Sequence, residues 1–138
     1  MRDKLKILKE LLRKIENENY NGYDPYDIKG TKLYSRNFYT NNFSAKVKRK
    51  ILDIIDILAP KLARKVMRIK KEKNAKAMGL FLMTYLNMYE VEHDQNYLRK
   101  IEYITDWLIN NSNRNYKELS WGYPFNWNSV IYIPKNTP

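Results

Sequence analysis

The chain has 138 residues, 43% of them hydrophobic, and no cysteine. That composition argues against wholesale disorder and excludes disulfides, thiolate metal sites and cysteine nucleophiles. Lys and Arg number 26 against 15 Asp and Glu, a net charge of +11, and no stretch of 18 residues is free of charge, so no membrane span is expected.

The length fits one domain over 1–138. Its first residues run straight into a charged amphipathic pattern rather than a secretory signal, so the protein reads as cytoplasmic. A single histidine, His93, excludes a multi-histidine metal centre built from one chain. No metal and no cofactor are expected.

Residues 3–18 read as a helix, with Leu5, Leu8, Leu12 and Ile15 at spacings of three and four and Leu11 widening the stripe. Tyr20 to Asn42 reads as a long loop with Pro25, Gly30 and six aromatics, a composition that favours packing over disorder. A second helix starts after Ser44, taken as N-cap, and runs to Ala59, where Pro60 ends or kinks it. Its apolar stripe is Val47, Ile51, Ile54, Ile55 and Leu58. A short basic helix over 61–70 turns Leu62, Val66 and Ile69 inward. A third helix, 75–91, is apolar almost all round, which implies burial between neighbours. A fourth, about 95–110 and capped by Asp94, directs Tyr97, Leu98, Ile101, Ile104 and Leu108 inward, so the last two helices form an antiparallel hairpin. After Asn111 the helical period is lost, and Val130 to Ile133 fits one short strand.

Segment 46–76 holds twelve basic residues and three acids, so nine of the eleven excess positive charges sit in 31 residues. Such a cluster suits a polyanion, whether nucleic acid, an anionic membrane surface or an acidic glycan. A bias toward Lys, Asn, Ile and Tyr, which number 18, 16, 13 and 12, is the competing explanation. His93 sits at a polar helix turn and reads as a solvated residue. Glu102 and Asp106 read as a solvated face.

Two segments carry candidate chemistry. Gly22-Tyr23-Asp24-Pro25-Tyr26-Asp27 places two carboxylates and two phenols on one loop. Paired carboxylates serve glycoside chemistry, sugar hydroxyls or a hard cation. Short-range turns, in which Asp side chains bond nearby N–H groups, account for them more simply. Trp121-Gly122-Tyr123-Pro124-Phe125-Asn126-Trp127-Asn128 puts aromatic faces beside amides. That suits carbohydrate rings or single-stranded bases, and equally a lid plugging a helical bundle.

The order of these motifs, GYDPYD, KLARKVMRIKKEKNAK, YLRK, WGYPFNW and IPKNTP, resembles a family of α/α-toroid proteins found among polysaccharide-biosynthesis genes and loosely related to six-hairpin glycosidases and cyclase-like toroids. The likeness spans nearly the whole chain. It implies an all-α fold of antiparallel helical hairpins with long aromatic loops. Because a full toroid has about twelve helices, the resemblance also implies that 1–138 corresponds to the N-terminal third of one, either a truncated form or one part of a split protein that a second chain would complete. Tyr23, Asp24 and Asp27 match the family's first loop. Lys70, Lys71, Asn74 and Lys76 match its basic segment, with Ala75 and Ala77 replacing a Pro and a Gly. Trp121, Gly122, Tyr123, Phe125, Trp127 and Ser129 match its aromatic loop, where Asn126, Asn128 and Val130 replace Asp, Gln and Arg. The loss of that acid and guanidinium implies a degenerate or partial protein that binds rather than catalyses.

The expected ligand is therefore a glycan or sugar-containing molecule, held by Tyr23, Asp24, Asp27, Trp121, Tyr123, Asn126 and Trp127. Lys70, Lys71 and Lys76 are the expected polyanion contacts. A small basic module binding nucleic acid through 46–76, which rests on charge alone, and a structural partner subunit are the alternatives.

Overall fold

The computed structural model of the protein describes residues 2–138. Among them, six helices and one pair of two-residue strands occur in the order α1 (Arg2–Asn17), α2 (Lys32–Tyr39), α3 (Phe43–Leu58), α4 (Pro60–Val66), α5 (Ala75–Glu92), α6 (Gln95–Asn110), β1 (Trp127–Asn128) and β2 (Tyr132–Ile133). With 59% of the chain in helix, the fold is of the all-α class. No helix is long and apolar enough to cross a membrane among the described residues.

The chain forms two compact units. The hairpin unit takes the residues up to Gly22 together with Lys71–Ser120, and the loop unit takes Tyr23–Lys70 with Trp121–Pro138.

The hairpin unit holds the larger core. Leu12 of α1, Met78, Tyr85 and Met88 of α5, and Tyr97 and Ile104 of α6 are buried, with Leu5, Leu8, Phe81, Leu82, Ile101 and Trp107 packed around them. The α5–α6 turn forms as its residues dictate. His93 closes α5 in the left-handed conformation at φ 53°, and Asp94 caps α6 by accepting from the Asn96 N–H. His93 is exposed, as are Glu102 and Asp106. Main-chain bonds between Gly22 and Glu72 tie the two segments of the unit together.

Phenols lock this core. The Tyr85 hydroxyl is fully buried and donates to Glu16 Oε1 at 2.7 Å, while Tyr20 donates to Tyr85 at 3.4 Å and Lys100 pairs with the same Glu16 carboxylate. Tyr97 donates to Glu92, which Lys9 also pairs at 2.6 Å. Burial and the neighbouring carboxylate push Tyr97 up to about 12 and raise Tyr85 further.

α5 is apolar on every side, but only one side is covered. Leu80, Met83 and Val91 are exposed at 57%, 62% and 70%.

The loop unit departs further from the expectations. The stretch 20–42 contains α2, capped by Thr31, whose hydroxyl accepts from the Tyr34 N–H. Its sequence, KLYSRNFY, spans little more than two turns, so its apolar pair Tyr34 and Phe38, four residues apart and stacked, repeats only once and is easily lost among the aromatics of the loop. α3 begins at Phe43 with Asn42 as cap, accepting from the Ala45 N–H at 2.7 Å, so Ser44 lies inside the first turn. Pro60 opens α4 at its first position, where its missing N–H costs nothing.

The largest correction concerns orientation. α3 turns Ala45 and Leu52 inward, with Arg49, Asp53 and Asp56 half-buried on the same side. Its Val47, Ile51, Ile54, Ile55 and Leu58 stripe faces outward, as do Leu62 and Val66 of α4. The inward side is occupied with polar work: Tyr34 of α2 donates to Asp53 at 3.0 Å, and the Arg49 guanidinium lies 5.3 Å from the Phe38 ring. Burial and the Asp53 carboxylate push Tyr34 up to about 12.

Two expectations follow. Replacing Tyr85→Phe removes a buried hydrogen bond to a carboxylate and should lower stability by about 1.5–3 kcal/mol, read from the denaturant midpoint; an unchanged midpoint would deny the phenol this role. Tyr34, Tyr85 and Tyr97 keep their protons more tightly when folded than an unfolded tyrosine of pKa about 10. Their contribution is therefore complete below pH about 10 and is lost as pH rises through the folded values. Alkaline titration at 295 nm should show a group of tyrosines ionising only together with loss of helical circular dichroism. Ionisation of all of them near pH 10 in a folded chain would contradict the packing.

Candidate functional site

The first loop is built around a buried ion pair. Asp27 is 7% exposed and accepts from Arg64 Nε through both oxygens, at 3.1 and 3.0 Å. Arg64 comes from α4. Its Nη2 donates to the Asp24 carbonyl at 3.1 Å, and its guanidinium carbon lies 5.0 Å from the Tyr23 ring centre. Asp24 itself closes a short turn by accepting from the Tyr26 N–H at 2.9 Å. Tyr23, Asp24 and Asp27 are thus brought together, but by an arginine that the sequence offers only as one cation in a basic run.

The same guanidinium acts on α3. Burial pushes the Asp56 carboxyl up from its usual range, Lys29 and Arg64 draw it down, and Asp27 and Asp53 raise it, with a net upward shift. Asp53, Asp56 and Arg64 form an interior charged layer that an apolar-stripe reading misses. The signal for it was present as the i, i+3 acid pair opposite the isoleucines. Among the described residues no three acids or histidines are grouped to hold a metal ion.

The aromatic loop packs on the first loop at a glycine. A Cβ added at Gly30 would sit 2.8 Å from the Asn126 carbonyl and 3.1 Å from Phe125 Cβ, so the two backbones approach closely because residue 30 has no side chain. Gly122 does the same for the C-terminal segment, where a Cβ would strike the Asn136–Thr137 backbone.

Amide side chains hold the register. Asn126 Nδ2 donates to the Gly30 carbonyl at 3.3 Å while its Oδ1 accepts from the Lys135 N–H at 3.0 Å. Asn128 Nδ2 donates to the Lys29 carbonyl at 2.6 Å, and its Oδ1 accepts from the Ser35 hydroxyl at 2.8 Å. β1 and β2 pair antiparallel, Trp127 opposite Ile133.

On this frame the rings assemble. Tyr123 and Trp127 stack with centroids 5.4 Å apart and planes 19° apart. Tyr26 meets Trp127 edge-on at 5.3 Å, and Phe125 lies 5.4 Å from Tyr123. Tyr26 and Tyr123 are 48% and 42% exposed, so the stack reaches solvent. Trp121, partly exposed, opens the segment.

The three lysines are not one cluster within a unit. Lys70 belongs to the loop unit, Lys71 and Lys76 to the hairpin unit, and Lys71 pairs with Glu18 at 2.8 Å. The hairpin unit also contains a cleft of about 310 Å³ between α1 and the start of α6, edged by Lys9, Arg13, Glu16, Glu92 and Lys100. Lys9 and Lys100 face Glu92 and Glu16 there as ion pairs.

Asn126 acts as both donor and acceptor, which a carboxylate cannot do. Asn126→Asp should set an anion against the Gly30 carbonyl, lower stability by about 1–3 kcal/mol and weaken the near-ultraviolet circular dichroism of the aromatic loop. A variant as stable as the parent, with the same spectrum, would remove the staple role. Comparison with protein-family models, curated proteins and solved structures gives no match for this chain, so its functional reading rests on the geometry of the two loops.

Proposed function

We propose that the chain is a carbohydrate-binding helical protein of polysaccharide biosynthesis, of α/α-toroid type and partial, which holds a glycan without converting it. The observation that carries this reading is the solvent-reaching stack of Tyr123 on Trp127 with Tyr26 edge-on beside them. Ring faces held in fixed register offer flat apolar area to the C–H face of a sugar, at little cost in side-chain entropy. The binding residues are Tyr26, Tyr123 and Trp127, with Tyr23 and Trp121 at the margin.

The carboxylates support binding over turnover. Asp27 is occupied by Arg64, and Asp24 is tied into its turn. A general acid or base must reach the proton it transfers, and Asp27 is buried beneath a guanidinium. The amide at 126 cannot serve as a nucleophile or base. The open side of α5, with Leu80, Met83 and Val91, is where a further hairpin of a second chain would complete the toroid.

Binding of a neutral polysaccharide should be measured by tryptophan fluorescence. Stacking predicts affinity that survives about 0.5 M salt, whereas phosphate-driven binding of nucleic acid falls steeply over that range. Trp127→Ala and Tyr123→Ala should each lower affinity tenfold or more, taking roughly 1–3 kcal/mol per stacked ring as for bases on aromatic platforms, with helical circular dichroism retained. Retention of affinity in both variants, or glycan cleavage by the purified parent, would overturn the proposal.

A further inference from the structure

The outward side of α3 and α4 has no place in the reading above. Phe43, Val47, Ile51, Ile54, Leu58, Leu62 and Val66 are exposed, from 41% at Val47 to 84% at Phe43. At 100° per residue, the α3 members of this set fall within one arc of less than half the helix circumference. Lys46, Lys48 and Lys50 stand at its edges, Lys61 and Lys65 continue the fringe along α4, and Arg68 follows in the turn after it; all six are exposed. The two acids between residues 43 and 68, Asp53 and Asp56, lie on the opposite, half-buried side, where Asp53 accepts from Tyr34. The outward side therefore presents apolar carbon and positive charge, with Ser44 as its neutral polar residue and no acid.

We propose that this side is a docking surface for an anionic lipid bilayer, with α3 lying in the plane of the interface rather than crossing it. Three observations select the occupant. A second copy of the chain would bring two cationic fringes together around the apolar contact, a like-charge arrangement that opposes association. Protein interfaces are depleted of Lys and enriched in aromatic residues, Met and Arg, whereas this surface is chiefly Ile, Leu, Val and Lys, with one Phe and one Arg. A cationic fringe beside an aliphatic arc matches an interfacial helix: the arc enters the acyl boundary, the lysine stems lie along it and the ammonium groups meet anionic headgroups. Phe43, the most exposed of these residues, opens the helix at the margin of the arc as an aromatic anchor. The glycan platform is not part of this argument.

The test is flotation of the full chain on a density gradient with vesicles of phosphatidylcholine alone and with about 30% phosphatidylserine. Aggregates do not float, so exposed apolar surface by itself gives no signal. The chain should float with the anionic vesicles and not with the neutral ones, at about 0.1 M salt. Lys46→Gln, Lys48→Gln and Lys50→Gln together should lower partitioning on the order of a hundredfold. Ile51→Ser with Ile54→Ser should lower it about tenfold or more, with helical circular dichroism unchanged because both side chains are already in solvent. No flotation with anionic vesicles would overturn the proposal. So would flotation indifferent to the isoleucine pair, which would mark a purely electrostatic polyanion surface. A stable dimer in sedimentation velocity that the isoleucine pair abolishes would give the face to a second copy and overturn it equally.

Discussion

Arg64 enters the loop unit from α4 and meets Asp27 with both carboxylate oxygens in reach of one nitrogen. The pair is nearly dry, with side chains 13% and 7% exposed. Removing water from two charges is costly, and their attraction offsets that cost only when geometry and further hydrogen bonds are good. Here the second guanidinium arm takes the Asp24 carbonyl and the flat face lies on Tyr23. Loop 23–30 is therefore held by a buried charge pair as well as by its one fully buried apolar side chain, Ile28. Gly30 then fixes where Asn126 and Phe125 lie, and through them the positions of Tyr123 and Trp127. The loop unit's buried apolar residues, Ile28, Tyr34, Ala45, Leu52 and Ala63, are few, and two of them are alanines. Loss of either ion-pair partner would strand a buried charge that so small a core could not absorb.

The helices were legible in the sequence because periodicity depends on the helix alone. Leu5, Leu8 and Leu12 marked α1, and Asp94 marked the start of α6, since an N-cap acts within its own turn. The side on which a helix packs depends on what it meets. For α6 the neighbour is the apolar α5, and the stripe of Tyr97, Ile101 and Ile104 goes inward. For α3 the neighbour is α2 with its phenol and the loop with its ion pair, so Asp53 and Arg49 go inward and the isoleucines stay out. α2 escapes the sequence reading because it is about two turns long: Tyr34 and Phe38 make a single i, i+4 pair that does not stand out from the aromatic-rich loop around it.

The sequence singles out Tyr123 and Trp127, which stack, but it names Tyr23 where the structure brings Tyr26 to Trp127 and sets Tyr23 against Arg64. Asp24, Asp27 and Asn126, expected to bond sugar hydroxyls, are each engaged with the protein's own backbone or with Arg64. Residue type reveals hydrogen-bonding capacity, but only the fold shows how much of it the protein consumes. The division of labour that results is rings outward and polar atoms inward.

Each unit is made of two segments that alternate along the chain. Gly22 and Glu72 pair across fifty residues, and Gly30 and Asn126 meet across nearly a hundred. During synthesis the hairpin of α5 and α6 can collapse on α1 as soon as Asn110 has emerged. The rings, by contrast, have no frame until Lys135 exists to hold Asn126. For that interval the first loop and α2 wait without the aromatic segment that later packs on them, which makes the unit's assembly slow in contact-order terms and late in the order of synthesis.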